Sequence, residues 1–343
     1  MDRPLVAVVL AGGTGTRLYP ASREDRPKQF CSFGGQRSLL ARTVERVSFA
    51  DETVVLTGER YADRIPEHAP DADVLVEPAP KDTGPALVYA AARLRERFED
   101  PVLLNVPSDH HVAGDFETPA RKAARVARDT GGLVTMGVEP TRPATGYGYV
   151  EPDDDSDGDD YAPVARFREK PDPDRAAELV ADGCYWNAGV FAWTPGALLR
   201  EARGTPLDAI AAAAEQADAN HGDGGLLETA IERTDPISID YAVLERTDDA
   251  FVVPVTVEWD DLGSWDAMER LLEADADGNA VLGDALAVDA GGNVIATDDA
   301  HVSVVGTEDL VVAAYDDRVL VVPKDDAQRV REVVDRLRDE GRF

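Results

Sequence analysis

Short apolar runs recur along the first 140 residues, separated by stretches of turn chemistry. Val6–Leu10, Thr53–Leu56, Val74–Val76, Val102–Val106 and Leu133–Val138 are nearly continuous in hydrophobicity, the pattern of strands buried on both faces. Between them the apolar spacing lengthens to three and four residues. Leu39–Val47 reads as a helix with Ser38 at its N-cap, Pro85–Phe98 as a helix preceded by Asp82 or Thr83, and Phe116–Arg128 as a third. Alternation of strand and helix predicts a parallel, three-layer α/β sheet with right-handed crossovers. Ligands of such sheets gather beyond the carboxyl ends of the strands. The loops 11–29, 77–84 and 107–111 are therefore expected to face one another across a single cleft.

From 140 to about 270 the pattern is more broken. The run 151–160, EPDDDSDGDD, is acidic and rich in turn formers, and is expected to be a solvated hairpin tip. From Asp275 short β-like runs (ALAVDA, NVIAT, HVSVVG, DLVVAAY, RVLVVP) alternate with Asp and Gly turns, and 326–338 closes the chain with Val330, Val333, Val334 and Leu337 at helical spacing. This predicts a small all-β unit packed against the rest, with a domain boundary near 275. No low-complexity linker marks it.

At 343 residues and 43% hydrophobic content, the chain can bury a sizeable core. Its charge is unusual: 67 acidic against 35 basic residues, a net charge of −32. Such a surface excludes duplex nucleic acid and anionic membranes as general partners. Regular apolar periodicity argues against disorder as the reason for the acidity. Adaptation to high salt fits better, since screening relieves self-repulsion while dense carboxylates keep the surface hydrated. The basic residues are 30 arginines and only five lysines: Lys28, Lys81, Lys122, Lys170 and Lys324. Cys31 and Cys184 lie far apart, without metal-ligand spacing, and are expected to be free thiols. No apolar run approaches a membrane span and a strand follows directly on MDRP, so a cytoplasmic protein is expected.

The chemistry starts at LAGGTGTRLYPASREDRPKQF, Leu10 to Phe30. Gly12, Gly13 and Gly15 allow close backbone approach and positive φ, so the amides of 11–16 can point at a phosphate chain. Arg17 adds a planar fork and Lys28 a mobile point charge. A Walker ending is missing, and the third glycine of a dinucleotide fingerprint would fall on Leu18, which removes a dehydrogenase reading. Adjacent His110 and His111 diverge on extended backbone and are not expected to share a metal.

The spacing G-G-x-G-x-R-L-x-P-x-S-R followed by P-K-Q-F resembles the sugar nucleotidyltransferase signature, and PKQF resembles its mannose-1-phosphate guanylyltransferase branch. EPAPKDTGPA (77–86) is similar to a second family motif, with Asp82 where Asn is usual and Gly84 where Ala is usual. PSDHHV (107–112), TGYGYVEP (145–152), FREKP (167–171), YWNAGVFAW (185–193), SIDYAVLE (238–245) and WDDLGSW (259–265) follow in the family order. The resemblance covers nearly the whole chain. It implies a Rossmann-like three-layer nucleotidyltransferase domain over 1–275 and a left-handed β-helix-like domain with a closing helix over 276–343.

The activity so implied is Mg²⁺-dependent in-line displacement at the α-phosphorus of GTP by mannose 1-phosphate, which depends on positioning and charge neutralisation. By resemblance, Asp109 and Asp261 form the metal pair, with Asp260 as a competing ligand. Arg17 and Lys28 face the triphosphate, Lys170 the sugar phosphate and Glu169 a sugar hydroxyl. Leu10, Ala11, Gly12, Gly13, Gly15, Thr16, Asp82, Thr83, Pro107 and Ser108 complete the nucleotide side, and Gly146, Tyr147, Asn187 and Gly189 the sugar side. Asp82 reads guanine or caps the helix that follows, and Tyr147 and Tyr149 bind or merely pack. Other nucleoside triphosphates, or a non-catalytic binding role, are the competing expectations; the intact cation and carboxylate set argues against the latter. With only the closing helix following the β-like runs, a second, isomerase activity is not expected. The all-β tail supplies a candidate homodimer face.

Overall fold

The computed structural model describes residues 3–13, 15–153, 160–220 and 225–343. The chain forms two compact units that do not follow chain order. One holds the N-terminus to Gly12, Val44–Pro107 and Val112–Trp259; the other holds Gly13–Thr43, Ser108–His111 and Asp260–Phe343.

In the first unit, strands β1 (Leu5–Leu10), β2 (Glu52–Gly58), β3 (Asp73–Glu77) and β4 (Val102–Pro107) are followed by β5 (Leu133–Val138), β6 (Tyr149–Pro152), β7 (Ala162–Arg168), β8 (Tyr185–Trp193) and β9 (Ala250–Val255). They form one nine-stranded sheet in the order β3-β2-β1-β4-β8-β5-β9-β7-β6. The first four pair in parallel, in the registers Leu10↔Leu56, Gly58↔Glu77 and Leu10↔Pro107. Leu10, Glu77 and Pro107 thus lie at one carboxyl edge. The five strands expected within the first 140 residues all run in one direction, and β8, from outside that stretch, is inserted antiparallel between β4 and β5. Hydrophobic runs mark strands but carry no information on which distant strand will intercalate.

Helix α1 (Leu39–Arg46) is capped as expected: Ser38 Oγ accepts from Ala41 N at 3.2 Å. Helix α2 (Thr83–Arg97) is buried along most of its length against the sheet, through Leu87, Val88, Ala90, Ala91 and Leu94. Helix α3 (Glu117–Thr130) is amphipathic, with Ala120, Ala123, Val126 and Ala127 inward. The short helices Glu59–Ala62 and Ile65–His68 are too brief to show a period, and sequence patterning misses them. Strands β6 and β7 pair antiparallel on either side of the acidic run, whose residues 154–159 lie outside the described residues.

In the second unit, β10 (Ala280–Leu282), β12 (Val294–Thr297) and β14 (Leu310–Tyr315) stack in parallel, β15 (Arg318–Pro323) closes the sheet antiparallel to β14, and β11 (Ala285–Val288) pairs in parallel with β13 (Val302–Val305). Successive parallel coils of this kind are β-helix-like. Two fully buried asparagines lace the coils together. Asn279 Nδ2 donates to Ala290 O and its Oδ1 accepts from Asn293 N and Nδ2; Asn293 Nδ2 in turn donates to Thr307 O and its Oδ1 accepts from Leu310 N. The apolar centre of this unit joins Leu18, Tyr19 and Phe33 to Trp265, Met268, Val294, Ala313, Tyr315 and Val330. Cys31 and Cys184 are free and buried. No described helix is long and apolar enough to cross a membrane.

Candidate active site

The second unit gathers three chain segments around one lysine. Lys28, 3% exposed, opens a 3₁₀ turn (Lys28–Phe30) after Pro27. Its Nζ donates to Asp109 Oδ2 at 2.9 Å and to the main-chain oxygen of Asp261 at 2.6 Å. Gly15 adopts φ +62°, and a Cβ there would fall inside the Lys28 side chain, so this glycine is required by close approach as well as by conformation. Thr16 and Arg17 continue in a 3₁₀ turn with Arg17 half-buried, while Gly12 and Gly13 are exposed. Ser108 is buried, its carbonyl accepting from Thr43 Oγ1.

Burial raises the Asp109 carboxyl. The charge and hydrogen bond of Lys28, with the nearby His110, outweigh it and hold the group below the usual carboxylate range. Asp260 and Asp261 differ in availability. Asp260 is buried with both oxygens engaged, accepting from Leu262 N at 2.9 Å and from Arg270 Nε at 2.7 Å. Asp261 Oδ1 accepts from Gly263 N at 2.8 Å, and no described side chain pairs with its charge. Among the described residues no group of three or more His, Cys, Asp or Glu side chains is arranged to hold a metal. Lys28 joins the Asp109 carboxylate to the main chain of Asp261. A carboxylate from each of these residues is a donor set that fits Mg²⁺, which takes one or two carboxylates and completes its shell with phosphate oxygens and water.

At the carboxyl edge of the first unit, Ala11 N donates to Leu56 O and Ala11 O accepts from Thr57 Oγ1, rooting the glycine loop in the sheet. Leu10 is half-buried beside Pro107. Glu77, 9% exposed, ends β3, and a Cβ on Gly12 would lie 2.9 Å from Glu77 Oε1. Burial, then the charge of Asp82, push this carboxyl up to about 7. Asp82 takes φ +70° and its Oδ1 accepts from Thr83 N at 2.6 Å, as a cap of α2. Thr83 Oγ1 accepts from Ile239 N, and Gly84 N donates to Ile237 O, both at 3.0 Å.

The same unit holds a cavity of about 410 Å³ walled by Asp82, Thr83, Glu169, Lys170, Asp240 and Tyr241. Glu169 and Lys170 pair with each other. Burial lowers the Lys170 ammonium, but the Glu169 hydrogen bond and charge, then Tyr241 and Asp240, hold it above its ordinary value. Lys170 sits at φ +46° with its amide donating to Tyr147 O, a strained backbone of the kind that gathers at functional sites. Gly148 rather than Gly146 is the glycine demanded here: a Cβ on Gly148 would meet Glu169 Oε2 at 2.5 Å, whereas one on Gly146 would meet nothing. Asn187 Nδ2 donates to Asp240 Oδ1 at 2.9 Å, and its Oδ1 accepts from Thr135 Oγ1 and Gly189 N. Tyr147 packs edge-on against Trp186 and Trp259 under Arg142, and Tyr149 is buried with its hydroxyl on Ala144 O.

Sequence reasoning missed Glu77 and Asp240. Each lies in a quoted motif, as the acid at a strand's carboxyl end and as a charge inside the apolar run SIDYAVL. Neither signal is specific without burial.

Residues 6–278 match the nucleotidyl transferase family, and 283–337 the MannoseP isomerase/GMP-like beta-helix domain. The chain is 37% identical to the xanthan biosynthesis protein XanB of Xanthomonas campestris, over 98% of this chain and 74% of that one. It is 35% identical to a mannose-1-phosphate guanylyltransferase of Escherichia coli, over 98% of this chain and 75% of the relative. A crystal structure of the Thermus thermophilus mannose-1-phosphate geranyltransferase superposes with a TM-score of 0.89 at 36% identity, covering 98% of this chain and 99% of that one.

Proposed function

The chain belongs to the nucleotidyl transferase family, and from that premise we propose that it transfers a guanylyl group from GTP to α-D-mannose 1-phosphate, forming GDP-mannose and pyrophosphate. The observation that carries this reading is the meeting of Lys28 with the Asp109 carboxylate and the main-chain oxygen of Asp261, which brings together one cation and two acidic residues from three distant segments. Similarity over nearly the whole chain to guanylyltransferases of several bacteria supports the choice of nucleotide and sugar.

A phosphate oxygen of the hexose 1-phosphate attacks the α-phosphorus, the bond to the bridging oxygen breaks, and pyrophosphate leaves with its electron pair. No covalent intermediate on the protein is needed. Lys28 and Arg17 neutralise charge on the departing pyrophosphate, the amides of the glycine loop orient it, and Lys170 pairs with the phosphate of the sugar. Asp109 and Asp261 would hold Mg²⁺, whose chemistry there is to draw charge from the phosphate oxygens. Glu77, beside the Gly12 backbone, is read as the acceptor for guanine N1–H and N2–H₂, a donor pair that uracil and thymine do not present; Asp82 is left to cap α2. Homodimerisation through the C-terminal domain is supported by the exposed Leu286, Val288 and Val305; a single-chain mass by light scattering would remove it.

The test is release of pyrophosphate from mannose 1-phosphate and Mg²⁺ with each nucleoside triphosphate in turn. Turnover is expected with GTP. No turnover with GTP, or faster turnover with UTP, dTTP or ATP, overturns the assignment.

A further inference from the structure

Asp240 is a carboxylate to which neither the sequence motifs nor the reaction above gives a role. It begins a π-helical turn, Asp240–Leu244, a rare geometry that concentrates at functional positions. It lines the cavity that also receives Glu169 and Lys170. Its orientation is fixed by a chain of donors and acceptors. The main-chain N–H of Gly189 can only donate, so the oxygen of the Asn187 carboxamide must face it, which turns the Asn187 amino group onto Asp240 Oδ1 at 2.9 Å. Thr135 Oγ1 holds the same carboxamide oxygen at 3.0 Å from a second side. The three elements that supply these groups, β5, β8 and the π-turn, are rigidly packed, with Ala242, Val243 and Leu244 buried in the core of the unit.

Charge balance does not call for this residue. Lys170 already has Glu169 as its partner, and a second acid is unfavourable here: burial, then the charge of Glu169, push Asp240 up to about 6. An acid kept in a cavity against its own solvation points to a ligand that rewards it. We propose that Asp240 is a hexose-reading residue: held in one orientation by the Asn187 amide, it accepts a hydroxyl of the bound sugar phosphate and so fixes which stereochemistry the cavity takes. This rests on the reading that the cavity binds a hexose phosphate.

Binding of mannose 1-phosphate and glucose 1-phosphate to the full chain, without nucleotide, is measured by calorimetry for wild type, Asp240→Asn and Asp240→Ala. Asp240→Asn keeps the shape and can still accept from Asn187, yet loses the charged acceptor. It is expected to bind mannose 1-phosphate about ten- to hundredfold more weakly at an unchanged melting temperature. Asp240→Ala also frees Asn187 and should narrow the preference between the two sugars. Equal binding by wild type and Asp240→Asn, or weaker binding matched by a lower melting temperature, overturns this inference alone. A wild-type protein that binds neither sugar phosphate overturns it together with the assigned reaction.

Discussion

At Glu77, burial and the charge of Asp82 raise the carboxyl from 4.5 to about 7, which makes stability depend on pH and, on the proposed reading of Glu77 as the guanine acceptor, nucleotide choice as well. Between these values the folded chain keeps a proton that the unfolded chain has lost, so this group's contribution to stability falls as pH rises through that window and stays unfavourable above it. Glu77→Gln should therefore be more stable than wild type at pH 8 by roughly 1–3 kcal/mol, with the gap closing by pH 4.5, as read by denaturant unfolding at both pH values. The same variant should raise KM for GTP about tenfold and narrow its advantage over UTP. At the proposed metal pair, Asp109→Ala or Asp261→Ala should lower turnover at least a hundredfold; full activity would remove that residue from the mechanism. Asp261→Ala should do so with little change in melting temperature, whereas Asp109→Ala should also lower it by leaving the buried Lys28 without its carboxylate. Lys28→Ala should act on the triphosphate and Lys170→Ala on the sugar phosphate, and identical kinetic defects would contradict that division.

At the scale of elements, two glycines give predictions of opposite kind. A Cβ on Gly84 would lie 2.6 Å from the main-chain oxygen of Ile237, which cannot swing away. Gly84→Ala should destabilise by about 1–3 kcal/mol, although Ala is the residue its family motif would lead one to expect. At Gly148 the neighbour is the mobile end of Glu169, so Gly148→Ala should leave the melting temperature nearly unchanged while weakening binding of the sugar phosphate. Strands β1, β2 and β4 are legible in the sequence because burial on both faces leaves unbroken apolar runs, and the edge strand β3, only partly buried, is legible from its short run Val74–Val76. The intercalation of β8 and the π-turn at Asp240 are not legible, because one depends on pairing between distant segments and the other on a hydrogen-bond shift without a composition of its own. The same division holds in the site. Lys28, Asp109 and Asp261 stand in specific motifs, whereas Glu77 and Asp240 acquire meaning only from what surrounds them.

For the whole molecule, the net charge of −32 predicts that melting temperature rises as KCl is increased from about 0.1 M to about 2 M, where the screening length falls to a few ångströms. A protein equally stable in dilute buffer would remove the halophilic reading. The loop 21–28 is tied to the tail by Arg23 on Asp316 and by Arg26 on Asp298, and Leu18, Tyr19 and Phe33 share one core with Val294, Tyr315 and Val330. The tail is thus no detachable cassette. A chimera that took its last 68 residues from a relative, cut at the boundary the sequence suggests, would receive foreign partners for the very loop that presents Lys28. Recombination between members of this family should succeed only when residues 13–43 travel with the tail, so these two stretches are constrained to vary together.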